Sequence, residues 1–250
     1  MKLLKYSLSL ILLISLQSMA TPKPRLVIFV GVDISGSFLR GPYYENALKF
    51  LATYLHAHIN GYGGLDVPKE IFVGSIGGAK ANEPKTLFPK QLFEDKTPEE
   101  ILAKLTEIFP KSKENPFTDF NAFFKHVSST AQARNLALKP ISIVLLTDGE
   151  PDLGGKKSDK RFRAINLSSL ENLSRNLTVR LLYTHPQAAD SWQNKVKRAR
   201  VRVWSQDDKV MSTWNDPKIY IPGTPAKQQT KFFNWVLDNV DFNVSAKRID

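Results

Sequence analysis

Two short runs constrain this chain more than anything else in it. Leu26–Val32 (LVIFVGV) and Ile141–Thr147 (ISIVLLT) are apolar or small at almost every position. A strand with one wet face alternates polar and apolar residues. An unbroken apolar run too short for a buried helix is a strand covered on both faces, as in a parallel sheet. The stretches around them are longer and periodic. Tyr43–Ile59 places Ala47, Leu48, Leu51, Leu55 and Ile59 at helical spacing. Thr97-Pro98-Glu99-Glu100 has the residues of a capping box and opens a helix to about Phe109. Further helices are predicted from Thr118, over Leu167–Arg175, over Asp190–Ala199 and over Gln228–Val240. Further strands are predicted from Glu70 (EIFVGSIGG), over Val179–Thr184 and over Val201–Ser205, with a weak, proline-bearing edge strand from Thr86. Gln206–Pro225 reads as a long irregular loop. Strands alternating with helices predict a doubly wound α/β fold, with a mostly parallel central sheet and helices on both faces.

The first twenty residues read as a leader. Lys2 and Lys5 precede the apolar run Ser7–Leu16, and Ser18-Met19-Ala20 supplies small residues at a cleavage site. An uncleaved membrane anchor is the other reading, but the run is shorter than the ~20 residues that span a bilayer. Cleavage would leave residues 21–250 as one domain with its core at about 25–240, exported to a bacterial periplasm or cell surface. The 250 residues include no cysteine, which excludes thiol chemistry and disulfide staples. The formal net charge is +11, and losing the two leader lysines would leave +9. Such a charge draws acidic proteins, acidic glycans or anionic lipid surfaces, or is simply a solvated surface. Nucleic acid is disfavoured by export and by the absence of a recognisable binding motif. Asn166, Asn172, Asn176 and Asn243 open glycosylation triplets, which arise readily by chance.

The first buried strand runs directly into Asp33-Ile34-Ser35-Gly36-Ser37. In parallel sheets ligands bind beyond the carboxyl ends of the strands. Asp148 occupies the corresponding end of the second run, and Thr118 opens a helix from a loop that can reach the same edge. Two carboxylates and three hydroxyls, without His or Cys, form an all-oxygen set suited to Mg²⁺ or Mn²⁺. Taken singly, Asp33, Ser35 and Ser37 also suit a helix N-cap, and Asp148-Gly149 a plain turn.

DISGS (33–37), FTDFNAFF (117–124) and LLTDGEPD (145–152) resemble, in order and spacing, the three parts of the metal-ion-dependent adhesion site of von Willebrand factor type A domains. The resemblance covers about Arg25 to Val240. It implies direct coordination by Ser35, Ser37 and Thr118, with Asp33 and Asp148 acting directly or through water. It also implies a protein ligand that supplies a carboxylate to the ion, in adhesion or envelope assembly. Pro116-Phe117 stand before the threonine where many members carry glycines. Phe38 is expected to pack, Asp119 and Asp152 to act as caps or supports, and Glu150 to be a surface acid.

Lys156, Lys157, Lys160, Arg161 and Arg163 follow Asp148 and are candidates to grip an acidic partner around the ion, or form a solvated loop. Lys195, Lys197, Arg198, Arg200 and Arg202 form a denser run toward the opposite edge. His56, His58, His126 and His185 read as packing or surface residues, and no nucleophile elbow or phosphate loop is present. Binding is therefore favoured over catalysis. A metal-independent structural subunit of an envelope complex and, less favoured, a metal-dependent hydrolase are the alternatives.

Overall fold

The structure is a computed structural model that describes residues 24–78, 86–112, 116–152 and 158–241. The predicted leader, Lys156, Lys157 and Asn243 lie outside them. In chain order the elements are β1 (Val27–Val32), α1 (Gly36–Leu39), α2 (Tyr44–Asn60), β2 (Glu70–Ser75), β3 (Gly77–Gly78) and β4 (Phe88–Pro89). There follow α3 (Pro98–Ile108), β5 (Phe117–Thr118), α4 (Phe120–Ala133), β6 (Ile141–Leu146), α5 (Ser158–Arg163) and α6 (Ser168–Glu171). The last are β7 (Leu177–Thr184), α7 (Pro186–Lys195), β8 (Arg202–Asp207), α8 (Asp208–Met211) and α9 (Thr230–Asn239).

The main sheet has six strands in the order β4-β2-β1-β6-β7-β8. All neighbours are parallel except β4, which runs antiparallel to β2. The fold is thus a doubly wound α/β layer structure with the two apolar runs, β1 and β6, side by side at its centre. Their lack of alternation has a direct cause. Ile28, Val30 and Val32 enter the layer under α2, α3 and α9, while Val27 and Phe29 enter the layer under α4, α6 and α7. Burying each such side chain contributes ~1.5–3 kcal/mol, so both faces drive the strand into the middle.

Several elements differ from expectation. The EIFVGSIGG run splits after Ser75: β3 leaves the main sheet and pairs antiparallel with β5, bringing Gly77 opposite Thr118. The helix after Thr118 begins at Phe120, because Asp119 is the N-cap and its Oδ1 accepts the Ala122 N–H at 3.0 Å. The helix before β8 begins at Pro186, since a proline at the first turn lacks only an N–H that would go unbonded there. The basic loop after Asp148 contains α5, and the supposed irregular stretch after Gln206 contains α8, capped by Asp207. The Thr97–Glu100 capping box forms as expected, with both reciprocal bonds.

His58 is not a simple packing residue. It is buried at the end of α2, with Nε2 2.8 Å from Asp241 Oδ2 and Nδ1 2.9 Å from the Asp66 carbonyl. Tyr54 donates its hydroxyl to the other Asp241 oxygen at 3.0 Å. The pair ties the end of α2 to the residues just after α9. Burial alone would push the His58 pKa down, but the Asp241 charge and the two hydrogen bonds hold it above its ordinary 6.5. Burial would likewise raise Asp241, yet His58 and Arg180 hold it below 3.8.

Gly31 is the one position of β1 where a side chain cannot fit. A Cβ there would lie 2.8 Å from Ile76 Cγ1 and 2.9 Å from both Leu145 Cδ2 and Phe123 Cζ. The absent side chain lets α4 dock on β1 through Phe123, which brings the start of α4 to the end of β1.

Gly31→Ala is expected to lose ~1–3 kcal/mol by overpacking, read as a lower urea midpoint at unchanged m-value. The His58–Asp241 pair should stabilise most between pH ~4 and ~6.5, where both partners carry charge in the fold. The His58 contribution is present below its unfolded pKa and lost as pH rises through the raised folded value. The Asp241 contribution is lost as pH falls through its depressed one. Urea midpoints measured from pH 5 to 9 should fall more steeply for the native protein than for His58→Gln, and parallel curves would refute the coupling.

Candidate metal centre

Asp33 is the first residue past β1, and its N–H still bonds the Leu146 carbonyl at 2.9 Å. Its side chain is fully buried. One carboxylate oxygen accepts the Ser35 N–H at 2.9 Å and the other accepts the Thr147 hydroxyl at 2.6 Å. Burial first, and the nearby charge of Asp148 second, push its pKa up to about 6 against the lowering effect of those hydrogen bonds. Among the described residues no cationic side chain offsets that rise.

Ser35 stands at the N-cap of α1, but its hydroxyl makes no capping bond. It lies instead 3.3 Å from the hydroxyl of Ser37, which is exposed at the rim. The capping alternative for these serines is therefore not what the fold uses. Phe38, next along, packs edge-on against Tyr44 and Tyr183, as expected.

Thr118 reaches the same edge through β5. Gly77 opposite it follows Ile76, whose N–H bonds the carbonyl of Val32 at the end of β1. On its other side Thr118 forms a two-bond bridge with Asp152, at 2.9 and 3.2 Å. Its side chain is 1 % exposed, and its Oγ1 has no hydrogen-bond partner. A buried hydroxyl left unbonded costs ~1–3 kcal/mol, a cost that a bound water or a ligand atom would remove. The Thr184 hydroxyl, at the end of β7, is buried and unbonded as well.

Asp148 follows β6 and is half-buried, with Oδ1 accepting the Glu150 N–H at 3.0 Å. Its turn is set by Gly149 at φ 85°, where a Cβ would sit 2.6 Å from Thr184 Cγ2. The Gly149 carbonyl accepts the Trp192 indole N–H at 2.8 Å. The plain-turn reading of Asp148-Gly149 is thus realised for one carboxylate oxygen and leaves the other for a second task. Glu150 is half-buried rather than a surface acid, and burial with the Asp148 charge raises its pKa.

The structure therefore brings Asp33, Ser35, Ser37, Thr118 and Asp148 to one end of the sheet. Asp119 serves as a cap, and Asp152 supports Thr118 and meets Arg161 at 3.7 Å. Lys160 and Arg163 are exposed on α5. Sequence reasoning missed Thr147, whose hydroxyl holds Asp33 and also accepts the Gly149 N–H at 3.0 Å. A hydroxyl one residue before Asp148, at the end of the strand beside β1, was the available signal. Among the described residues no group of three or more His, Cys, Asp or Glu could hold a metal ion. Clefts of about 690 and 760 Å³ lie elsewhere, beside β8 and at the opposite end of the sheet, and include none of the five residues.

No protein-family model matches the chain, and no curated protein matches it. Among solved structures it is similar to proximal thread matrix protein 1 from the mussel byssus, at 18 % identity over 76 % of this chain and 46 % of that one, TM-score 0.45. The chain thus spans under half the length of that protein. A second structure of the mussel protein, at 17 % identity, the same coverage and TM-score 0.44, has a zinc-occupied MIDAS motif. The pilus adhesin SpaC of Lactobacillus rhamnosus GG, in its open conformation, aligns at 14 % identity over 85 % of this chain and 31 % of that one, TM-score 0.42. The SpRpn10 VWA domain aligns at 14 % identity over 74 % of this chain and 89 % of that one, TM-score 0.38. The fold class rests on the strand order above.

Proposed function

We propose that this chain is a protein-binding module that holds a divalent cation, Mg²⁺ or Mn²⁺, at the carboxyl edge of its sheet and captures a partner's carboxylate there. The observation that carries the reading is the buried, unbonded Thr118 hydroxyl on the edge that Asp33 and Asp148 load with negative charge. Ser35, Ser37 and Thr118 would hold the ion by their hydroxyls, and Asp33 and Asp148 would balance its charge directly or through water. The ion would supply a Lewis-acidic position open to an acidic group. Ser35 N–H and Thr147 keep the Asp33 carboxylate oriented, and Gly149 keeps Asp148 in its turn. The exposed Lys160 and Arg163 would meet an acidic partner beside the ion. The three-part motif resemblance to von Willebrand A domains supports this reading, as do the zinc-occupied motif of the mussel protein and the adhesin among the similar structures. An exported adhesion or envelope-assembly factor is the cellular role this fits. Among the described residues no helix is long and apolar enough to cross a membrane.

Calorimetric titration with MgCl₂ and MnCl₂ tests the metal. Thr118→Val should weaken affinity at least tenfold, yet leave the protein in EDTA as stable as the native one or up to ~1 kcal/mol more so, because it removes an unbonded hydroxyl. Equal affinity in native and variant protein would reject Thr118 as a ligand. Affinity should also decline as pH falls through about 6, where protons compete for Asp33. Pull-down from solubilised envelope in Mg²⁺, in EDTA and with Asp33→Ala then tests capture. Partners indifferent to all three conditions would support the structural-subunit alternative.

A further inference from the structure

The two edges of the main sheet are built differently. β4 is two residues long and ends in Pro89, so it offers a new strand almost nothing to pair with. β8 has six residues, Arg202–Asp207, and no proline, and among the described residues β7 is the only strand beside it. A strand sends alternate main-chain N–H and C=O groups to its two sides, so a single neighbour leaves a row of them facing outward. A groove of about 690 Å³ runs along this edge, lined by residues of α7, the loop 198–201 and β8 through Ser205.

The charge of this edge is fixed by the run that the metal site leaves unused. Arg198 is spent on structure: its guanidinium donates to the carbonyls of Trp192, Gln193 and Val196 and closes the end of α7. Glu171 accepts the N–H groups of Ala199 and Arg200 at 2.8 and 2.6 Å, which holds the loop in place. Arg200 and Arg202 are thereby presented at the groove with exposed side chains. Their guanidinium groups have no ion-pair partner among the described residues. The single acid lining the groove, Asp190, already accepts the Asn194 amide at 2.7 Å. Trp204, between Arg202 and the end of the strand, is 37 % exposed.

We infer that β8 is a second docking surface, which takes an extended acidic segment of a partner protein as an added strand, independently of the metal edge. Main-chain pairing would supply the register, and Arg200 and Arg202 the preference for acidic side chains. A second copy of this chain is disfavoured by like-charge repulsion between two molecules of formal charge +11.

The probe is a fluorescein-labelled peptide of repeating Glu-Val, titrated into the purified protein in EDTA, so that carboxylate capture at the metal edge cannot contribute. Binding should slow amide hydrogen exchange over 202–207. It should weaken roughly tenfold or more for Arg200→Glu/Arg202→Glu, and for a Lys-Val peptide, by charge complementarity. A Glu-Val peptide N-methylated at alternate residues should not bind. Three outcomes would overturn the inference: no binding in EDTA, equal binding of the N-methylated peptide, or protection located away from β8. Self-association through β8, seen by sedimentation without peptide, would also overturn it. None of these results bears on metal affinity, so the two sites stand or fall separately.

Discussion

A carboxylate without solvent exposure sits at the end of a wholly apolar strand, and much of the upper edge of the molecule exists to tolerate it. Asp33 is held by one backbone N–H and one hydroxyl, with a second carboxylate near enough to raise its pKa. Hydrogen bonds orient such a group but do not neutralise it. Burial raises the cost of that charge, and the unbonded Thr118 hydroxyl lies at the same end of the sheet.

The cluster is assembled by the packing beneath it. β1 and β6 are adjacent because each can be buried on both faces, and that adjacency lets Thr147 reach across to Asp33. Thr118 arrives by a different route, through the two-residue pairing of β5 with β3 and the docking of Phe123 over Gly31. Backbone geometry also contributes on the third side. Tyr183 has φ 67°, rare for an aromatic residue, at a register shift in β7 that leads into Thr184 and the Gly149 turn. The edge is therefore set by close packing of the elements beneath it.

Charge is sorted over the rest of the molecule. Asp33, Asp148 and Glu150 stand at the carboxyl edge, with the exposed Lys160 and Arg163 on α5, while Arg200 and Arg202 mark the far strand. At the opposite end of the sheet His58 and Asp241 join α2 to the end of α9 by a buried ion pair. Such a pair gives little net stability over a well-packed apolar contact, but breaking one side of it is costly, so it fixes where the last helix ends.

The sequence alone determined the layer architecture, because two runs without alternation cannot be buried in any other common way. It also marked Asp33, Ser35, Ser37, Thr118 and Asp148 as oxygen-bearing side chains near strand ends, and all five lie at one end of the sheet. What it could not show were relations that depend on who lies beside whom. Thr147 matters only because β6 adjoins β1. Thr118 faces Gly77 on one side and Asp152 on the other only because β5 meets β3 and the segment after Gly149. His58 meets Asp241 across 183 residues, a separation that no local pattern records. Among the described residues the sheet ends at β8, which no local pattern shows. Local propensity and periodicity act over a few residues, whereas charge balance, orphaned hydroxyls and free strand edges are properties of the assembled sheet, and the tertiary structure decided them.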